Sequence, residues 1–171
     1  SGLPIEYYVD ERIFTMEKKW LLFNHWSGIG FGKDIPNVGD VQPIDFLGMP
    51  LLLVRDENNI VRVFENVCRH RGMLLIQEKT NLRGTIRCPY HSWCYALNGE
   101  LRATPHVGGP GHNIHPEIKR HKLALNEIKS EIWHDVIFVN ISNNVPDFRD
   151  CNVNLLERWK DFEQPFYHSG S

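Results

Sequence analysis

Apolar positions along this chain recur mostly with the short period of strands. Residues 51–54 and 60–64 are two β-rich apolar runs around the polar turn 56–59, and they predict a hairpin. Residues 93–96 and 100–102 flank Leu97-Asn98-Gly99, and Asn-Gly is a strong signal for a tight turn between strands. A strand is predicted at 84–87, and further strands at 121–128 and 132–141, beyond a stretch rich in Gly, Pro and His at 104–116. Helical spacing appears at the two ends. Ile13, Phe14, Met16, Trp20 and Leu21 mark one face of an amphipathic helix over 10–23, capped by Asp10 and the only helix expected early in the chain, and a second short helix is expected over 153–162. Short strands separated by turn signals predict a mainly β architecture, a sandwich or barrel.

Within that pattern sits one chemical signature. Cys68-Arg-His70 is followed, after seventeen residues, by Cys88-Pro-Tyr-His91. Each half offers one thiolate and one imidazole on a segment too tight for a helix interior, with Gly72 after the first pair and Pro89 inside the second. Two cysteines for one iron and two histidines for the other is the ligand set of a Rieske-type 2Fe-2S cluster. Zinc is the competing reading of two Cys and two His, although zinc sites usually group Cys with Cys and His with His.

Composition narrows the function. With 171 residues and 42% hydrophobic content the chain can bury a real core, and a formal charge of −2 gives no footprint for nucleic acid. No run of eighteen apolar residues suggests a membrane span, and the start lacks a signal-peptide pattern, so a cytoplasmic protein is expected. Cys94 and Cys151 then read as ordinary thiols. His106, His112, His115 and His121, with Glu117 or Asp135, contain the elements of a two-His one-carboxylate iron site. Six Gly and Pro lie between Pro105 and Pro116, however, and a solvated loop is the expected outcome.

The segments CRHRGMLL (68–75) and CPYHSWCYALNGEL (88–101) resemble the cluster-binding domain of Rieske non-haem iron oxygenase large (alpha) subunits, the ring-hydroxylating dioxygenases and Rieske monooxygenases. EKKWLLFNHWSGIG (17–30) is similar to that family's helix and first strand, so the likeness covers nearly the whole chain. It implies a Rieske fold of three small antiparallel sheets with a loop-built cluster-binding subdomain at about 66–106, within a single Rieske domain over 1–171. It assigns Cys68 and Cys88 to the inner iron and His70 and His91 to the outer iron. Tyr90 and Trp93 would shield the cluster, and Arg69 and Arg71 would lie at the contact across which electrons leave.

The resemblance also sorts among Rieske types. Met73 and Tyr90 stand where respiratory members carry a bracing disulfide, and Trp93 stands where they place a hydroxyl donor. The implied potential is therefore at the low end, on the order of −150 mV. Family members continue into a catalytic domain holding a mononuclear Fe(II), which this chain, ending at His168-Ser-Gly-Ser171, is expected to lack. The fragment alone would be electron-transfer only. The expected partners are a reductase or ferredoxin donor and the catalytic domain of a neighbouring subunit, serving hydroxylation of an aromatic or amine substrate. A stand-alone Rieske ferredoxin is the alternative, against which the helices at 10–23 and 153–162 argue.

Overall fold

The computed structural model describes residues 2–162; the chain end at His168–Ser171 lies outside them. Two short helices, α1 (Glu6–Val9) and α2 (Glu11–Glu17), lead into a π-helical turn at Lys18–Leu22. The strands are β1 (Ser27–Phe31), β2 (Asp40–Phe46), β3 (Met49–Arg55), β4 (Val61–Glu65), β5 (Thr80–Asn81), β6 (Thr85–Arg87), β7 (Cys94–Ala96), β8 (Leu101–Ala103), β9 (Lys129–Trp133) and β10 (Val136–Asn140). Helices α3 (Phe148–Cys151) and α4 (Val153–Trp159) follow. All pairings are antiparallel, in three small sheets ordered β1-β10-β9, β4-β3-β2-β5 and β6-β7-β8. The mainly β architecture with short terminal helices is thus the one expected.

The chain divides into two compact units, Gly32–Ile128 and the residues flanking it on both sides. In the flanking unit, Asp10 caps α2 as predicted, its carboxylate accepting from the Arg12 N–H at 2.8 Å. The early helix is not alone, because Glu6–Val9 forms a separate turn before that cap. The segment expected as one strand over 132–141 is a hairpin. His134 and Asp135 both take positive φ (49° and 64°) and turn β9 back along β10. That left-handed pair is commonly Asn-Gly or Asp-Gly, and without it the apolar run reads as continuous. Trp26, Trp133, Phe138 and Phe148 pack edge-on or tilted around α3, a helix the sequence pattern did not reveal.

In the unit Gly32–Ile128, β3 is central. Leu51 to Val54 are fully buried, which is why this strand reads as an unbroken apolar run. Strand β2 escaped notice because Pro43 interrupts it and Leu47-Gly48 makes its turn, both at positive φ (57° and 87°). Pro43 is tolerated since β5 bonds only to Asp40 and Val41, leaving the rest of that edge open. Residues 121–128 are not the expected strand. They form a 3-10 turn at Arg120–Leu123 and then a bridge of Glu127 to Phe64, burying Leu125 and Ile128 against the unit's core.

Two turns hold this unit closed. Asp56, fully buried, accepts from the N–H of Asn58 and Ile60 at 2.9 Å and from Arg62 Nε at 2.8 Å. Burial pushes its pKa up, but the Arg62 guanidinium and the two backbone donors outweigh that and hold it below the usual carboxylate range. At the other turn, Gly99 has φ 84°, and a Cβ there would stand 2.6 Å from Phe64 Cε1. The Asn98-Gly99 turn therefore rests directly on the aromatic ring of β4.

Two stability changes follow. Gly99→Ala combines left-handed strain with a clash against a buried ring and should cost about 3 kcal/mol in urea unfolding. Asp56→Ala should cost about 2–3 kcal/mol by leaving Arg62 Nε and two backbone N–H groups without their acceptor, although Arg62 keeps Glu127. Because the native carboxyl pKa is lowered, the stability that Asp56 contributes is present above about pH 4 and lost as pH falls through the lowered value. Asp56→Ala should therefore flatten the acid limb of the unfolding curve.

Candidate metal centre

Two loops of the central unit close in the same way. In the first, the Cys68 N–H donates to Met73 O at 2.8 Å and the Gly72 N–H to Cys68 O at 3.0 Å. In the second, the Cys88 N–H donates to Trp93 O at 2.8 Å and the Ser92 N–H to Cys88 O at 3.0 Å. The fifth residue of each is left-handed, Gly72 at φ 69° and Ser92 at φ 57°. The unequal spacings Cys-x-His and Cys-x2-His thus ride on one backbone design.

Each loop is tied at its base. The second springs from β6 and β7, where Arg87 pairs with Cys94, as the expected hairpin support requires. The first is closed by a bridge of Val67 to Leu74 and by Asn66, whose side-chain amide donates to Ile76 O at 2.7 Å and accepts from Ile76 N–H at 3.0 Å. Asn66 is almost wholly buried, so both polar ends of its amide are used.

The loops bring together the four residues that the spacing singled out. Cys68 and Cys88 are each 2% exposed and both belong to the hydrophobic core. Burial pushes the Cys68 thiol up, against the contrary pull of the Tyr95 hydroxyl, and the Cys88 thiol is near enough to help push it up. The rings of His70 and His91 lie 4.7 Å apart, edge to face. Nδ1 of each is buried and makes no hydrogen bond. Burial first, and then the charges of His91 and Arg71, hold the His70 pKa below its ordinary value, favouring a neutral ring with a free lone pair. Two buried thiols and two buried nitrogens without partners are what a group with two metal ions, ligated in pairs, would satisfy. Among the described residues, no three His, Cys, Asp or Glu side chains converge as they would on a single ion.

The surroundings separate by role. Trp93 is buried and stacks on His70 at 4.6 Å with planes 5° apart, while Tyr90 is 58% exposed and lies against His91 at 3.7 Å. Arg69 and Arg71 are exposed. Sequence reasoning missed Tyr95. Its hydroxyl lies 3.3 Å from Cys68 Sγ and accepts from the Arg69 N–H at 3.1 Å, which leaves its own proton for the sulfur when that is a thiolate. Tyr95 thus offers a hydroxyl to the Cys68 sulfur, a contact separate from the donor that Trp93 at position 93 lacks. The signal was available: a tyrosine in a buried strand needs a partner for its hydroxyl.

Cys94 is a free, buried thiol that donates to Ser92 O at 3.1 Å, and Cys151 is free and exposed. His106, His112 and His121 are exposed, and His115 Nδ1 accepts from the Glu117 N–H at 3.3 Å, stitching its own loop. No helix among the described residues is long and apolar enough to cross a membrane.

Comparison with known proteins points the same way. The family model described as the Rieske 2Fe-2S domain matches residues 25–124, which include both loops. The large oxygenase component of salicylate 5-hydroxylase from Ralstonia sp is 29% identical over 157 residues, covering 88% of this chain and 37% of the relative. The carnitine monooxygenase oxygenase subunit of Escherichia coli strain K12 is 26% identical over 148 residues, covering 86% of this chain and 38% of the relative. The chain thus spans less than two fifths of the length of these relatives. Naphthalene 1,2-dioxygenase from Rhodococcus sp. shares the fold with TM-score 0.80 at 24% identity, over 93% of this chain and 36% of that one. The quaternary ammonium Rieske monooxygenase CntA shares it with TM-score 0.79 at 23% identity, over 94% of this chain and 45% of that one.

Proposed function

The chain belongs to the Rieske 2Fe-2S domain family, and from that premise we propose that it is the electron-relay part of a terminal oxygenase. Cys68 and Cys88 would hold one iron through Sγ, and His70 and His91 the other through Nδ1. The observation that carries this assignment is the pair of buried, unpartnered Nδ1 atoms on the two loops that also bury Cys68 and Cys88. When bound, the cluster supplies storage and release of a single electron.

The protein's own residues do the rest. Trp93 and Tyr95 keep water from the sulfur side, and Tyr95 donates a hydrogen bond to Cys68 that favours the more electron-rich state. Asn66 fixes the first loop so that its two ligands need no rearrangement. His70 and His91 keep a second ring nitrogen, Nε2, which would be the place to hold or release a proton when the charge on a bound cluster changes.

In the whole protein the donor is a reductase or ferredoxin. The acceptor is a mononuclear non-haem iron in the catalytic domain of a neighbouring subunit, reached past Arg69 and Arg71. The relatives' names support oxygenation of an aromatic or quaternary amine substrate. The same relatives are oxygenase subunits more than twice this chain's length, which favours this reading over a stand-alone ferredoxin. We place the protein in the cytoplasm.

The purified protein should be reddish-brown, with about two iron and two acid-labile sulfide per chain, and Cys88→Ser or His91→Ala should each abolish both. A colourless protein with one zinc would overturn the assignment. In film voltammetry the potential should lie on the order of −150 mV and fall as pH rises through the imidazole pKa of the oxidised state. Tyr95→Phe should lower it by on the order of 60 mV, a tenfold shift in a one-electron equilibrium. A potential flat across the alkaline range would count against the proton uptake assigned to Nε2.

A further inference from the structure

The sheet order leaves β8 at an edge, and the chain returns along that edge at 114–124. Backbone bonds pin the two segments together at their ends. The Thr104 N–H donates to Asn113 O at 2.8 Å and the Leu125 N–H to Gly99 O at 2.9 Å, while no backbone bond crosses between them among the described residues. A cavity of about 560 Å³ opens in that gap. Its size falls within the roughly 300–1,000 Å³ typical of small-molecule sites.

The floor of the cleft is apolar. Leu101 is 3% exposed, and Ile118 and Ala124 are half-buried. The rim is cationic. Arg102 comes from the strand, and Lys119 and Arg120 from the returning segment, against the single carboxylate of Glu100, so the lining carries a formal +2 with His121 counted neutral. The chain as a whole carries −2, so this excess is local. Lys119 and Arg120 form no ion pair among the described residues. Arg102 has Glu100 at 3.4 Å, but both side chains are more than half exposed, so water screens that pair and leaves the guanidinium available.

A ligand that satisfies both parts of this lining needs a negative charge and an apolar body. We propose that the cleft is a binding site for a small aromatic carboxylate. The guanidinium groups of Arg102 and Arg120 offer forked donors to a carboxylate and flat faces to a ring, and Lys119 adds a third positive charge. The ring displaces water from Leu101, Ile118 and Ala124. Inorganic phosphate has the charge without the body, and a neutral ring has the body without the charge, so each uses only half of the site. None of these residues belongs to the two ligand loops, and the inference does not rest on the function proposed above.

Calorimetric titration of the full chain with 2-naphthoate tests this. One site per chain is expected, with Kd of about 1 mM or tighter, as an anion of about thirteen heavy atoms can reach. Inorganic phosphate and 2-naphthamide, which keeps the shape without the charge, should each bind about tenfold more weakly or worse. Arg102→Gln/Arg120→Gln should weaken naphthoate binding about tenfold or more, whereas Lys79→Gln/Arg83→Gln, which removes an equal charge at exposed positions elsewhere, should leave it within about twofold. Should the first double variant fail to fold by circular dichroism, each of its single variants should still weaken binding about threefold. The proposal is overturned by no binding of naphthoate at about 10 mM, by equal binding of the amide or of phosphate, or by unchanged binding in the Arg102 and Arg120 variants.

Discussion

A thiolate pair and an imidazole pair make opposite demands on solvent, and the central unit is arranged around meeting both within two short loops. Cys68 and Cys88, the proposed sulfur ligands, lie in the core beside Trp93 and Tyr95, where water does not reach them. His70 and His91, the imidazoles proposed to exchange electrons and protons with a partner, are only half-buried. One backbone design satisfies both needs. The Cys begins the loop, where the strands still bury it, and the His comes two or three residues later, where the chain has turned outward. Loop closure from Cys68 to Met73 and from Cys88 to Trp93 sets that geometry.

Much of this was legible in the sequence because the relevant signals are local. The spacing of Cys68, His70, Cys88 and His91, the Asn98-Gly99 turn, the run from Leu51 to Val54 and the Asp10 cap each depend on residues within a few positions of one another. What escaped notice has a physical reason in every case. Neither Leu47-Gly48 nor His134-Asp135 is the Asn-Gly or Asp-Gly pair that signals a tight hairpin turn, so nothing marked them as turns. The apolar residues Leu125 and Ile128 pack beside β4 without forming a regular ladder, and alternation alone cannot tell the two apart. Tyr95 belongs to the site only through its hydroxyl, and its partners Cys68 and Arg69 lie 27 and 26 residues away in sequence.

The amphipathic reading of residues 10–23 was right about helical periodicity, but Phe14, Met16, Trp20 and Leu21 remain exposed in this chain. Hydrophobic spacing specifies that a face exists; it does not specify which polypeptide covers it. The π-helical turn at Lys18–Leu22 is likewise invisible to a period-3.6 template.

Gly99 resting on Phe64 has a consequence beyond stability. The β7–β8 turn, which continues from the second ligand loop, bears directly on β4, which leads into the first. The two loops therefore share one rigid mount and cannot drift independently. For the proposed cluster, which would change charge by one unit, such a shared mount would keep the nuclear motion that accompanies each electron, and so the reorganisation energy, small.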